Sequence, residues 1–209
     1  MRIKNLYLSL AVVLAILSFG MASHATPIDL ITNGEFEDGS SGYGVYVPGW
    51  TSNRPLEIFY QGMAGSPGLG SDGLATGQHL EITFDGYYQY VTQTIGSTIG
   101  GTVDFSFDAW KRYATGVKYQ LTGSISGTLI ANTIHYFSSN DWEAISVPNI
   151  DIAAGEYLTV RFETYGGGSA GAHVDQVSLR FTPVPEPTAL LLLGTGLISL
   201  AGARRRMKK

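Results

Sequence analysis

The 209-residue chain contains no cysteine. That excludes a disulfide framework, a thiolate metal site and a cysteine nucleophile together. Basic residues are nearly missing from its middle. Between Thr26 and Pro183 there are only six, Arg54, Lys111, Arg112, Lys118, Arg161 and Arg180, against 16 acids, a formal net charge of −10 (6 − 16) that the whole-chain value of −4 conceals. A domain so acidic is a poor match for nucleic acid, whose capture relies on Lys and Arg displacing counterions from phosphates, so no nucleic acid partner is expected. Calcium, neutral sugars and basic surfaces suit it better. The same stretch lacks any long apolar pattern of helical period.

What recurs instead is alternation at period two, punctuated by Gly, Asn, Asp and Pro. Val103, Phe105, Phe107 and Ala109 interleave with Asp104, Ser106, Asp108 and Trp110, and Leu80, Ile82, Phe84 and Leu158, Val160, Phe162 follow the same rule. Further strands are expected near 87–95, 118–130, 143–147 and 173–181. About eight antiparallel strands in two layers, a jelly-roll β-sandwich, bury such faces most economically. The Gly-rich segment 61–78 is long for a connection and reads equally as a binding loop or a mobile one.

The two ends differ from this middle. Arg2 and Lys4, an apolar run from Leu6 to Phe19 and small residues at Ser23 and Ala25 have the layout of a secretory signal peptide cleaved after Ala25. At the other end stand Pro185-Glu186-Pro187, an apolar run from Ala189 to Ala203 and Arg204-Arg205-Arg206. As a helix that run measures about 22 Å against about 30 Å of bilayer core, a marginal span. Its basic end belongs on the cytoplasmic side. The chain therefore divides into a signal peptide (1–25), a jelly-roll domain (26–183) and a C-terminal segment with a short hydrophobic helix (184–209).

The three ordered parts of that segment resemble the PEP-CTERM sorting signal of Gram-negative bacteria. The resemblance implies an exosortase as partner, a transient tether in the inner membrane, then a place at the cell surface or in the extracellular matrix beside exopolysaccharide. The exported domain has its own resemblance. LITNGEFEDG, PGW, HLEITFDGYYQYVTQTI, VDFSFDAWKR and AHVDQVSLRF are similar, in order, to landmarks of galactose-binding-like jelly rolls of the carbohydrate-binding-module kind. One departure is that His173 and Val174 precede a single Asp175 where many relatives carry two acids.

Two sites are expected. Asp175 shares the parity of Val177, Leu179 and Phe181, so a regular strand would turn it toward the core, where a carboxylate needs a partner. The resemblance implies a structural Ca2+ held by Glu37 and Asp175, oxygen ligands suited to a hard cation. Plain hydrogen bonding at a strand end is the alternative. The second site rests on pairing 91–95 with 103–110 across a turn near Thr98. Ile95 would then face Val103, and Tyr88, Tyr90, Asp108 and Trp110 would share the non-core face with Arg112. Flat rings beside carboxylates and a guanidinium suit a sugar; cross-strand packing without function is the plainer reading.

Catalysis is not expected. Gly167 to Gly171 fits G-x-S-x-G, but a strand follows where a nucleophile elbow needs a helix, and the acid and His come in the wrong order. The four histidines, His24, His79, His135 and His173, show no zinc spacing and are expected at the surface. Asp104 with Asp108, or Asp141 with Glu143, would be the carboxylate pairs of a glycoside hydrolase, the outlying reading. The sequence thus leaves a non-catalytic surface or matrix protein that binds glycan, or a structural or adhesive one that binds no sugar specifically.

Overall fold

The computed structural model describes residues 26–60, 77–82, 89–96, 98–123, 129–166, 171–184 and 196. The signal peptide with its Ala25 cleavage site, Tyr88, Pro185-Glu186-Pro187, the apolar run and Arg204 to Arg206 lie outside these residues. Among the described residues no helix is long and apolar enough to cross a membrane. Pro27–Pro183 forms one compact unit and is described by itself.

The unit is an antiparallel all-β sandwich of jelly-roll type. Its strands are β1 (Ile28–Asp29), β2 (Gly42–Val45), β3 (Thr51–Ser52), β4 (Leu56–Tyr60), β5 (Gln78–Ile82), β6 (Tyr90–Ile95), β7 (Gly101–Lys111), β8 (Gly116–Gly123), β9 (Leu129–Tyr136), β10 (Glu143–Ile152), β11 (Leu158–Tyr165) and β12 (Ala172–Pro183). The first sheet runs β10-β7-β12-β5-β4-β2, with β1 also on β12, and the second runs β3-β6-β11-β8-β9. The expected strand 118–130 is two strands, β8 and β9.

Alternation supplies the core. Phe105 and Phe107 from the first sheet meet Tyr119 and Phe162 from the second, with Phe107 and Phe162 ring centres 4.9 Å apart. Phe36 and Trp50, 5.3 Å apart, plug into the same core, with Trp50 6.1 Å from Phe162. Asn33 organises that plug: it has a positive φ of 51°, and its carbonyl accepts the Trp50 indole N–H at 3.0 Å. Its amide also exchanges hydrogen bonds with the Asp38 backbone. The landmarks NGEFE and PGW are therefore one packing unit. Asn and Gly there serve the backbone, while Phe36 and Trp50 fill the core.

Strands β6 and β7 do not pair. They lie in opposite sheets, β6 between β3 and β11 and β7 between β10 and β12. A hairpin at Thr98 would need its backbone groups to bond across the turn. Instead the Thr98 N–H donates to Glu156 and the Gly155 N–H donates to Thr98, which stitches this connection to the one between β10 and β11. Both connections cross from one sheet to the other.

A second departure lies in β12. Its register against β7 shifts between Asp175 and Ser178, and Gln176 has a φ of 50°. A bulge adds one residue and reverses the parity beyond it. Val177, Leu179 and Phe181 are core residues. Asp175 instead shares a face with His173, opposite the core, and is nevertheless buried.

Candidate functional site

The face of the first sheet turned away from the core carries the densest side-chain chemistry. Core residues Leu56, Ile58, Leu80, Ile82, Phe107, Ala109, Ala172 and Val174 send their alternate neighbours to that other face. The register is Trp110 opposite His173, His173 opposite Glu81, Glu81 opposite Glu57, and Glu57 opposite Tyr43. One continuous row thus crosses β7, β12, β5, β4 and β2. At about 4.8 Å per strand the row is roughly 19 Å long, the scale of a short oligosaccharide.

Beside this row stand Asp108 opposite Asp175 and Phe59 opposite His79. The rings form a box. His173 meets Trp110 at 5.1 Å and Phe59 at 5.0 Å edge to face, His79 meets Trp142 at 5.5 Å, and the two imidazoles are 4.9 Å apart. Both histidines are 0% exposed, and none of their four ring nitrogens has a hydrogen-bond partner. Neutral imidazole is the form such a place tolerates. Burial pulls His79 down to about 4, and it pulls His173 well below its usual value, helped by His79 and Arg112.

Glu81 is also buried. Its carboxylate accepts the Gly171 N–H at 2.9 Å and pairs with Arg112 at 3.2 Å. Desolvation raises it, the Gly171 and Arg112 contacts pull it back, and the Glu57 charge pushes it up again. Arg112 lies over the Phe59 ring at 5.4 Å, so the salt bridge and the aromatic box share a wall.

The sequence-derived aromatic site is split by this geometry. Asp108 and Trp110 belong to the first sheet, with Arg112 just past the end of β7; the Trp110 indole N–H donates to the Asn140 carbonyl at 2.6 Å. Tyr90 belongs to the second sheet, where Arg161 stacks on it at 3.8 Å and joins Lys118 in pairing with Glu163. Tyr88 is outside the described residues. The premise that failed was the pairing of β6 with β7, not the parity within either strand.

The expectation that the histidines are surface residues fails too. Among the described residues His79 and His173 are wholly buried, while His135, with a side chain 29% exposed, is partly open; His24 lies outside them. His135 bonds Glu143 at 2.6 Å, while the backbone N–H groups of Ser138 and Ser139 donate to the other carboxylate oxygen. Partial desolvation pushes Glu143 up, but His135 and the two serines outweigh it and hold the carboxyl down to about 2. The hydroxyls of Ser138 and Ser139 bond this carboxylate rather than the imidazole, which makes a corner clamp and not a nucleophile relay. Asp104, from the other carboxylate pair, accepts the Asn149 N–H at 2.8 Å.

The calcium pair is placed as follows. Glu37 accepts the Gln78 N–H at 2.6 Å, and Asp175 accepts the Gln176 N–H at 2.8 Å. Among the described residues no group of three or more His, Cys, Asp or Glu side chains could hold a metal ion. A cation on Glu37 and Asp175 would therefore need backbone oxygens to complete its shell.

Sequence reasoning assigned none of His79, Glu81, Phe59, Glu57, Tyr43 and Trp142 to a site, and it set His79 at the surface. For the first four the signal was present, because LEIF and HLEI alternate as VDFSFDAW does, and residues between core positions must share the opposite face.

Comparison with known proteins adds two findings. The family model described as the PEP-CTERM protein-sorting motif matches residues 183–206. Solved structures share the fold at low identity. TmCBM61 in complex with beta-1,4-galactotriose is 14% identical with a TM-score of 0.52, over 73% of this chain and 97% of that one. A cyclase from Fischerella sp. TAU is 14% identical with a TM-score of 0.57, over 77% and 100%. The enzymatically active domain of tailspike protein 4 from Bacteriophage CBA120 is 15% identical with a TM-score of 0.52, over 74% and 21%. No curated protein sequence matches. The chain thus carries a PEP-CTERM-like sorting motif, which links it to exosortase handling outside the cytoplasm, behind a jelly roll of the kind found in carbohydrate-binding modules and in enzymes.

Proposed function

We propose that this is an exosortase-processed surface or matrix protein whose jelly roll binds glycan, without catalysis, on the outer face of its first sheet. One observation carries the reading: the row Trp110, His173, Glu81, Glu57, Tyr43 across five strands, with an aromatic ring at each end. Sugar rings stack their C–H faces on such rings while polar groups fix the hydroxyls. Support from fold likeness is limited to this: TmCBM61, of similar architecture, was solved with beta-1,4-galactotriose. The non-catalytic reading rests on how its carboxylates are engaged, Glu81 by Arg112 and Glu143 by His135 and the serines. The exported domain would pass through a transient inner-membrane tether and reach the extracellular polysaccharide after sorting.

A glycan array probed with the full chain in mild detergent tests this directly. Retention on at least one polysaccharide is expected; a blank array favours the structural or adhesive alternative. The Ca2+ on Glu37 and Asp175 is part of the same proposal and has a separate check. Chelation should lower the melting temperature by several degrees, on the order of 1–2 kcal/mol for a cation bound only to the folded state. An unchanged melting curve in chelator removes calcium from the account.

A further inference from the structure

In the second sheet Val117, Tyr119 and Leu121 of β8 face the core, so Gly116 lies on the outer face. Two tyrosines stand opposite this glycine, Tyr136 from β9 on one side of β8 and Tyr165 from β11 on the other. Residues two strands apart are separated by about 9.6 Å, and a side chain on the strand between them ordinarily keeps them from touching. Gly116 has none, and a Cβ there would run into the His135 carbonyl oxygen. The two rings therefore lean over the glycine and meet edge to face, with centres 5.6 Å apart and planes at 88°.

Their phenols are hydrogen-bonded to each other, and that bond raises Tyr136 above its ordinary value, because the shared proton is harder to lose. An ortho carbon flanks each phenol oxygen, so bonded oxygens bring the ortho carbons of the two rings close together. Both residues stay open to solvent, 56% and 43% exposed. The place also has a mechanical use for a covalent tie. Strand β9 is the outermost of its sheet, paired only with β8, in a chain that has no cysteine to fasten it.

We propose that Tyr136 and Tyr165 are a site of oxidative cross-linking, in which a bond between their ortho carbons staples edge strand β9 to β11 across β8. The oxidant is hydrogen peroxide acting through a one-electron carrier of the haem peroxidase class. Each phenol loses one electron and one proton, which leaves a phenoxyl radical whose unpaired electron reaches the ortho carbon. The two ortho carbons pair these electrons in the new bond, and each ring becomes a phenol again as its ortho hydrogen moves to the oxygen. Two electrons and two protons leave in all, and they reduce one peroxide to two waters. The link closes a loop of about 30 residues and stabilises as a disulfide does, by restricting the unfolded chain.

Treating the full chain, dilute and in mild detergent, with a haem peroxidase and hydrogen peroxide tests the proposal. The parent should remain a monomer, become lighter by two hydrogens, gain dityrosine fluorescence and melt about 5–10 °C higher than before treatment. Tyr136→Phe and Tyr165→Phe keep the rings and remove one phenol, so each should abolish the fluorescence. Tyr46→Phe, which alters an exposed tyrosine outside the pair, should leave it unchanged. Fluorescence that survives in Tyr136→Phe and Tyr165→Phe overturns the proposal, and so does dityrosine found only in covalent dimers, the mark of exposed tyrosines meeting between molecules. A linked monomer that melts where the untreated parent does overturns the staple.

Discussion

Alanine in place of Gly34 is expected to destabilise the sandwich by about 3 kcal/mol, on the order of 10 °C in melting temperature for a domain of this size. A Cβ at that position would run into the Val177 carbonyl oxygen, with the Ile31 side chain 3.0 Å away on another side. The obstacle is backbone, so no rotamer change relieves it. Nor can the segments part cheaply, because the Gly34 carbonyl accepts the Val177 N–H at 2.9 Å. That bond anchors the opening segment on the bulge that turns Asp175 to the outer face. Gly96→Ala is the control, since a Cβ there meets nothing within 4 Å. Thermal denaturation of both variants checks the expectation, and a Gly34→Ala melt within about 2 °C of the parent would refute this account of the motif.

Acid should weaken the fold well before its carboxylates are titrated. His79 titrates near 4 in the folded protein and near 6.5 when unfolded, so the unfolded chain takes up a proton first as pH falls. The stability due to neutral His79 is complete above pH 6.5 and is lost progressively down to about 4. At about 1.4 kcal/mol per unit this amounts to roughly 3 kcal/mol, and His173 adds loss in the same direction. Glu81 works the other way, because its raised value makes the folded state the better proton acceptor as pH falls toward the ordinary carboxylate range. Glu143, held near 2, brings a later loss between about pH 4.5 and 2. Melting temperatures at pH 7 and pH 4.5 should therefore differ by about 10 °C, and His79→Phe should flatten that window. Equal melting temperatures at the two pH values would show that the imidazoles are not buried neutral.

The way these elements were read from sequence has a physical pattern. Alternation told truly which residues of a strand share a face, as Phe105, Phe107 and Ala109 show. It carries no information about which strand lies beside which. The pairing assumed for β6 and β7 followed the usual adjacency of consecutive strands, whereas the Thr98 backbone bonds elsewhere and sends β7 to the other sheet. Tyr90 and Trp110 were separated for that reason alone. Asp175 was misplaced by a different cause: the bulge at Gln176 uses a non-glycine residue at positive φ, which leaves no mark in composition. The burial of His79 and His173 depends on Phe59, Trp110 and Trp142, brought over them from three separate segments. No local pattern could announce it.

The proposal that glycan is held on the outer face of the first sheet is tested by retention of the full chain in a polysaccharide affinity gel. Three proteins are compared: the parent, Trp110→Ala at one end of the row, and Tyr90→Ala on the opposite sheet. Retention should fall at least about tenfold with Trp110→Ala, the scale of losing one stacked ring, and stay unchanged with Tyr90→Ala. Equal retention of the parent and Trp110→Ala, or a loss confined to Tyr90→Ala, would contradict it.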